Sequence, residues 1–498
     1  MNRNYNHQIT VIMRKVIVFL LLFLFSYGTV IGRSKEKTVY ESIYNNSCLQ
    51  VVSAVSTDTA TVLVFEVQGK VNAPFVISSN AALIDEHGMR HPILRTDGAR
   101  LDEKNYISHR GVSTFTAYFD ILPGKTSFFD FIDSNGVADV EILGIHQKGK
   151  EKEIPRVKEL TTGFHLSKSE TSYLRIRGCT GFKIDTIRVL YNTCLSSQFE
   201  SIPVDTSSGE CLIPIHIETP VWGELFVERT RIPFYIEPRE ELCARLEMGA
   251  GGAFHLEEHA HEDKRPCATL FTHLPPLIHA TWNDLTCNQA RMESDYFVER
   301  AFELEASNMA LCDYYAWKYG FTPLEVTLLK NRQRILLAEE LMLLASRLFQ
   351  SKVEVPRWSE PTKADFIDYD YTMYKVAGVL PFDNPLLGID CYFNRVLGSI
   401  RLIWPMFYWS QYAYYDSGQQ TCAQTVIKET TLQIDELRRL VGFRGMPWLV
   451  QAYYAKVHSA IYQRVEEAAE REAIDEYLSS ILTDPHILDI FRNTRPGR

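Results

Sequence analysis

Alternation of apolar and polar residues predicts β-structure in the first third of the chain. Residues 59–67 are rich in β-branched side chains and are bounded by Asp58 and Gly69, which suit turns. Residues 111–119 alternate along their whole length, so the two faces of one strand carry different side chains. Short strands at intervals of roughly 10–20 residues predict an antiparallel β-sandwich over residues 38–150.

A second β-rich region is predicted over residues 155–247, after a polar and charged linker at 147–153. It contains segments, such as residues 173–177 and 211–217, that fit short strands. Prolines at positions 203, 214, 220, 233 and 238 interrupt this region. Because proline lacks a backbone N–H, these positions predict short strands or edge strands.

The periodicity becomes helical in the last part of the chain. Ile335, Ala338, Met342, Ala345 and Phe349 recur every three or four residues, as on one face of a helix. We predict a His- and Cys-rich connector at 248–284 and a helical domain at 285–498. The pattern as a whole predicts a multidomain α+β protein with an N-terminal antiparallel β-sandwich, a second small β-domain and a C-terminal α-helical region.

Residues 1–32 predict export. Arg14 and Lys15 precede the apolar residues 16–25, and smaller residues follow, which is the pattern of a secretory signal peptide. An uncleaved membrane anchor is the alternative. After this segment, no apolar run reaches the roughly 20 residues that a membrane helix needs. The ten cysteines permit disulfide bonds in an exported chain, and buried free thiols are the alternative.

Composition excludes two classes of protein. The 498 residues are 46% hydrophobic and 12% aromatic, and a disordered chain does not carry so much apolar surface. The net charge is −10, and no long basic run is present. Nucleic-acid binding needs clustered cations that face phosphates, so we do not expect a nucleic-acid partner.

A histidine-rich segment supplies the candidate metal ligands His255, His259 and His261. His255, Glu258 and His259 match H-x-x-E-H, a motif in which two histidines on one helix bind Zn²⁺ and the glutamate activates water. The alternative is a solvated polar loop, because the preceding residues 249–253 are rich in glycine and alanine, a composition that suits a loop better than a packed helix.

Residues 404–415 contain seven aromatic side chains. They predict either a stacking platform for a sugar or peptide or the packed core of a helix. We assign no catalytic residue and no cofactor, because the sequence contains no C-x-x-C pair, no G-x-S-x-G elbow and no phosphate-binding loop.

Short motifs carry a resemblance to one protein family. They lie at 61–65 (TVLVF), 85–88 (DEHG), 119–123 (FDILP), 129–132 (FDFI), 143–145 (LGI), 234–238 (FYIEP), 368–371 (DYDY), 381–387 (PFDNPLL) and 392–394 (YFN). In this order they resemble the N-terminal and helical accessory regions of bacterial periplasmic TlpA-like thiol-disulfide oxidoreductases. In that family a thioredoxin domain with a W-C-x-x-C site follows the helices, and its catalytic cysteines have no counterpart here.

The resemblance implies an exported, non-catalytic accessory or binding protein in the periplasm or cell envelope of a Gram-negative bacterium. A truncated or split member that lacks the thioredoxin domain is one form of this expectation. A cell-envelope protein or a glycan is the expected partner. The alternatives are a metal-dependent hydrolase that uses His255, Glu258 and His259, a diverged thiol protein that uses isolated cysteines, and a glycan-binding module.

Overall fold

The structure is a computed structural model that describes residues 39–124, 126–134, 139–161, 170–182, 184–193, 196–248, 254–258, 270–271, 273–286, 293–352, 371–400, 422–462, 465 and 467–493. The chain divides into two compact units, one that ends at Glu153 and one that begins at Ile154. The division lies at the end of the charged segment 147–153.

The described part of the first unit contains a large antiparallel sheet and a small two-stranded one. Its strands are Tyr40–Glu41 (β1), Tyr44–Asn45 (β2), Leu49–Ser56 (β3), Thr61–Gln68 (β4), Pro74–Phe75 (β5), Ala82–Asp85 (β6), Arg90–Asp97 (β7), Asn105–Tyr106 (β8), Val112–Phe119 (β9), Phe129–Ser134 (β10) and Asp139–Gln147 (β11). The large sheet has the order β1-β11-β10-β6-β7-β9-β4-β3, with β2 also paired to β11, while β5 pairs with β8. Its two end strands, β1 and β3, lie beside each other, so the sheet is nearly closed.

Alternate residues of the central strands fill the interior of this sheet. Leu63, Phe65 and Val67 of β4 are buried. The Phe65 ring lies 5.1 Å from that of Phe115 on β9 and 5.0 Å from that of Phe131 on β10, between ring centroids. This apolar burial stabilises the sheet. The strands predicted from residues 59–67 and 111–119 are confirmed as β4 and β9.

Two four-stranded sheets begin the second unit and share one core. Their strands are Glu170–Arg177 (β12), Thr186–Thr193 (β13), Ser196–Pro203 (β14), Cys211–Ile217 (β15), Val221–Val227 (β16), Thr230–Ile236 (β17), Glu241–Met248 (β18) and Phe254–Glu258 (β19). The orders are β15-β12-β18-β19 and β14-β13-β16-β17. Pro203, Pro214 and Pro233 lie on β14, β15 and β17, which are all edge strands, as their missing N–H groups predict.

Helices follow the sheets. The α-helices of the described residues are Trp282–Thr286 (α1), Ser294–Tyr319 (α2), Pro323–Lys352 (α3), Phe393–Ile400 (α4), Cys422–Val441 (α5), Trp448–Tyr462 (α6), Ala468–Ile481 (α7) and Pro485–Asn493 (α8). The 3₁₀ helices are Lys150–Glu153 in the first unit and Cys179–Phe182, Thr372–Val379 and Pro385–Ile389 in the second. The apolar stripe predicted at residues 335–349 lies on α3 and is buried in the helical core.

Local signals set the boundary between α2 and α3. Gly320 ends α2 with a φ of 69°, a left-handed conformation that glycine adopts without a steric penalty. The Thr322 backbone N–H then donates to the Glu325 carboxylate at 2.8 Å, and the Glu325 N–H donates to the Thr322 hydroxyl at 3.3 Å. This reciprocal pair is a capping box, which satisfies N–H groups that the first turn leaves free.

The predicted fold class is confirmed: an N-terminal antiparallel β-domain is followed by a second β-rich region and a helical region. None of the helices in the described ranges combines the length and the apolar composition needed to cross a bilayer. Six cysteines of the described residues are free thiols, at positions 48, 179, 211, 243, 312 and 391. The predicted signal peptide at 1–32 and the aromatic segment at 404–415 lie outside the described residues.

Candidate functional site

The seam of the first unit is the gap between the two end strands of the large sheet. In the described chain, β1 pairs with β11 and β3 pairs with β4, and no ladder joins β1 to β3. Side chains cross the gap: the Tyr40 hydroxyl donates to the Ala54 carbonyl at 3.1 Å, and near the start of β3 the Asn45 amide of β2 donates to the Leu49 carbonyl at 2.6 Å. The seam therefore brings two strand edges together without pairing them.

Backbone groups of both edges point into the seam. In antiparallel pairs, residues alternately face the neighbouring strand and face away from it. The Lys148 N–H donates to the Val39 carbonyl at 2.9 Å, so the backbone of the next residue, Tyr40, faces away from β11. On the other edge, the Thr57 N–H hydrogen-bonds across the β3–β4 hairpin at 2.8 Å, so Ala54, three residues earlier, faces away from β4.

Two cavities open along the seam, and Tyr40 lines both of them. The first, of about 490 Å³, borders the start of β3 and includes the side chains of Asn45, Gln50 and Gln68. The second, of about 360 Å³, borders the end of β3 and includes Ser56. Amide and hydroxyl groups of this kind both donate and accept hydrogen bonds, so the seam suits a polar ligand with its own donors and acceptors.

The candidate metal ligands from the sequence fall in a different place. His255 lies on β19, with an exposed side chain whose Nε2 is 3.8 Å from Glu247 Oε2. His259 and His261 lie outside the described residues. Because residues 254–258 form a strand, the helix that the H-x-x-E-H motif needs is not formed at His255.

Other potential metal ligands do come together in the first unit, where two exposed carboxylates lie beside a buried histidine. Carboxylate oxygens of Glu41 and Glu151 and a ring nitrogen of His146 lie within 4.8 Å of one another. Sequence reasoning missed this group because Glu41 and His146 are far apart in the chain and become neighbours only through the β1–β11 register. The charged segment 147–153 pointed to a linker and gave no sign of a ligand.

The second unit contains a buried ionic cluster. Arg332 on α3 donates from Nη1 to Glu224 Oε1 at 3.0 Å and from Nε to the carboxylate of Asp390. The Tyr392 hydroxyl donates to Glu224 Oε2 at 2.5 Å. The Arg332 guanidinium carbon lies 3.9 Å from the centre of the Trp222 ring. These mutually paired groups hold β16 and the helices together, so we interpret the cluster as structural.

Buried cysteines are poorly suited to thiol chemistry. Burial raises the pKa of Cys211 to about 12 and also raises the pKa values of Cys179 and Cys391. The thiolate is the reactive form of cysteine, and these three thiols stay protonated at neutral pH. The hypothesis of a diverged thiol protein therefore gains no support from them.

Comparisons with known proteins leave the function open. No protein-family model matches the chain, and no curated protein matches it. Among solved structures, the Bacillus anthracis TIE protein is found with 9% sequence identity and a TM-score of 0.13, covering 43% of this chain. The chain spans 41% of that protein's length. A likeness this weak carries no argument about fold or function.

Proposed function

We propose that this chain is an exported, non-catalytic binding protein whose first unit takes up an extended peptide segment of a cell-envelope protein. The observation that carries the proposal is the seam. There, the backbone groups of Tyr40 and Ala54 lie on opposite strand edges and point into the gap between them. Unpaired strand edges are the usual template for adding a further strand. A peptide added there gains main-chain hydrogen bonds from the edge and side-chain contacts in the flanking cavities.

The proposed export and cellular location are based on the amino-acid sequence. The segment 1–32 has the pattern of a signal peptide, and the motif order resembles TlpA-like accessory regions. We therefore place the protein in the periplasm or cell envelope of a Gram-negative bacterium. In this proposal the chain contributes binding and leaves thiol-disulfide exchange to other proteins.

A displayed library of random 12-residue peptides, selected on the immobilised full chain, tests the binding step. Enriched peptides are synthesised, and their affinities are measured by fluorescence anisotropy. We expect Ala54→Pro to weaken binding about tenfold, since the loss of one main-chain hydrogen bond costs about 0.5–1.5 kcal/mol and proline also obstructs the edge. The Ala54 N–H faces away from β4, so this proline removes no ladder hydrogen bond, and circular dichroism should show a native fold.

Two controls separate strand addition from other modes of binding. Tyr40→Phe removes the hydroxyl that occupies the Ala54 carbonyl and should bind the peptides at least as well as the parent chain. N-methylation of alternate peptide amides should abolish binding in one register and spare it in the other. Equal binding by the parent and Ala54→Pro chains would overturn the seam proposal. Selective retention of glycans on an array, without any enriched peptide, would favour the glycan-binding alternative.

A further inference from the structure

Three potential ligands converge where β1, β11 and the 3₁₀ helix Lys150–Glu153 meet. Glu41 and His146 are register partners across the β1–β11 pair, so their side chains lie on the same face of the sheet. Glu151 lies in the 3₁₀ helix that follows β11. Their potential ligand atoms all lie within 4.8 Å of one another.

Hydrogen bonding fixes the tautomer of His146. Its Nδ1 lies 2.7 Å from the Gly144 carbonyl oxygen, which can only accept, so Nδ1 carries the proton. A histidine that ligates a metal almost always donates its second ring N–H in this way, commonly to a backbone carbonyl. The arrangement leaves the lone pair of Nε2 free to bind a cation.

The Nε2 atom is buried and lacks a hydrogen-bond partner in the described structure. The His146 side chain is 3% exposed, and Nε2 is one of the buried polar atoms without a partner. Glu151 Oε2 is 3.4 Å away, but the contact does not have hydrogen-bond geometry. Two acceptors therefore face each other, with a third, from Glu41, close by. A cation between them would give Nε2 a partner and would contact both carboxylates.

The backbone holds the His146 ring in place. The register of β10 and β11 shifts between Phe129 and Phe131, as at a β-bulge, and Gly144 in the opposite segment has a φ of 61°. The Gly144 N–H donates to the buried Asp130 carboxylate at 2.7 Å, and the Phe128 ring packs 5.2 Å from the imidazole, between centroids. Bulges commonly redirect a side chain beside a functional site.

We propose that Glu41, His146 and Glu151 bind a divalent transition-metal ion of the Zn²⁺ or Mn²⁺ type. Metal–ligand distances of about 2.0–2.2 Å place ligand atoms about 3.4 Å apart. His146 Nε2 and Glu151 Oε2 already have this separation, so mainly the Glu41 carboxylate must move inward, by roughly 1 Å. Both glutamates are about half exposed and have room to do so. Lys148 Nζ, 3.1 Å from Glu41 Oε1, is the cation that the metal would displace.

The three ligands leave further coordination positions for water. A nitrogen donor beside two carboxylates favours transition metals over Ca²⁺, which takes oxygen ligands. Glu41 also lines the first seam cavity. The test of the metal site does not involve peptide binding, so failure of this proposal can be told apart from failure of the seam proposal.

Titration calorimetry of the full chain with ZnCl₂ and with CaCl₂ tests the site. The titration uses a background chain that carries His255→Asn, His259→Asn and His261→Asn, which removes adventitious binding by the histidine-rich segment. We expect one Zn²⁺ per chain in this background. We also expect His146→Asn, which keeps a donor for the Gly144 carbonyl, to weaken Zn²⁺ binding by at least about tenfold. CaCl₂ should give no comparable binding.

Surface variants keep the test decisive if His146→Asn fails to fold. Glu151→Gln should weaken Zn²⁺ binding to a similar extent, and Lys148→Met should strengthen it by removing the competing cation. His91→Asn is the matched control, because His91 Nε2 lies 3.3 Å from a single carboxylate, that of Asp85, and should not change Zn²⁺ binding. Unchanged Zn²⁺ affinity in both His146→Asn and Glu151→Gln would overturn the proposal, as would loss of all binding in the histidine-depleted background.

Discussion

Replacing Arg332 with methionine should strongly destabilise the second unit. The substitution roughly keeps the side-chain volume but removes the guanidinium that pairs with Glu224 and Asp390. Both carboxylates are buried, with side chains 9% and 3% exposed. The variant therefore leaves two buried acidic groups without their cation.

The size of the effect follows from these contacts. Two hydrogen bonds from Arg332 to carboxylates are lost, each worth about 1.5–3 kcal/mol. Removing one partner of a buried ion pair costs about 3–5 kcal/mol in total. The contact with the Trp222 ring overlaps with these terms, so it is not added. We expect the free energy of unfolding to fall by about 3–5 kcal/mol.

Tryptophan fluorescence in urea measures the change in the second unit alone. All seven tryptophans, at positions 222, 282, 317, 358, 404, 409 and 448, belong to that unit. Arg395→Met is the matched control, because Arg395 pairs with Glu339 at 2.8 Å but is 55% exposed. An exposed pair of this kind contributes about 0–1 kcal/mol.

A triple variant checks the cause of the destabilisation. Combining Arg332→Met with Glu224→Gln and Asp390→Asn removes the unpaired charges and should recover at least half of the lost stability. The reasoning is refuted if Arg332→Met unfolds at the same urea concentration as Arg395→Met. It is also refuted if the triple variant is less stable than Arg332→Met.

Three further predictions concern other groups. Burial lowers the pKa of Lys456 to about 8 in the folded chain, whereas the pKa in the unfolded chain is about 10.4. Between about pH 8 and about pH 10.4 the unfolded chain therefore binds more protons, and the free energy of unfolding rises with pH. After a discount for solvent screening, the free energy of unfolding of the parent chain should rise by about 1–2 kcal/mol more than that of Lys456→Met between about pH 7 and about pH 10. Urea titrations at both pH values measure the difference, and an identical rise in both chains would contradict this. Gly144→Ala should destabilise the first unit by about 1–3 kcal/mol, since φ is 61° and the new Cβ would lie 2.6 Å from Ile43 Cδ1; hydrogen exchange of β11 measures the loss, and unchanged exchange would refute it. At about pH 8, alkylation read by mass spectrometry should modify the exposed Cys48 much faster than Cys211, whose pKa burial raises to about 12, and equal rates would count against the burial argument.

Periodicity and turn chemistry predicted much of the fold. The alternation at residues 59–67 and 111–119, the apolar stripe on α3 and the prolines of the second β-region all depend on local rules, and the structure agrees with them. Local rules cannot give the near-closure of the first sheet. Near-closure requires β1 to lie beside β3. These two strands come together only because of the order of all the strands between them in the sheet.

The candidate sites were harder to predict for the same reason. Tyr40 and Ala54 are ordinary residues in the sequence, and only the unpaired edges give their backbone groups a role. Glu41 and His146 meet through strand register. The dense histidines near His255 gave a stronger sequence signal than the lone His146, yet His255 is an exposed residue on a strand.

Hydrogen–deuterium exchange of the full chain, with and without a selected peptide, tests the seam most directly. The account predicts slower exchange at the Tyr40 and Ala54 amides, which face the gap, and little change at neighbouring amides that already pair with β11 or β4. Protection confined to the second unit, or absent from both β1 and β3 at saturating peptide, would contradict it.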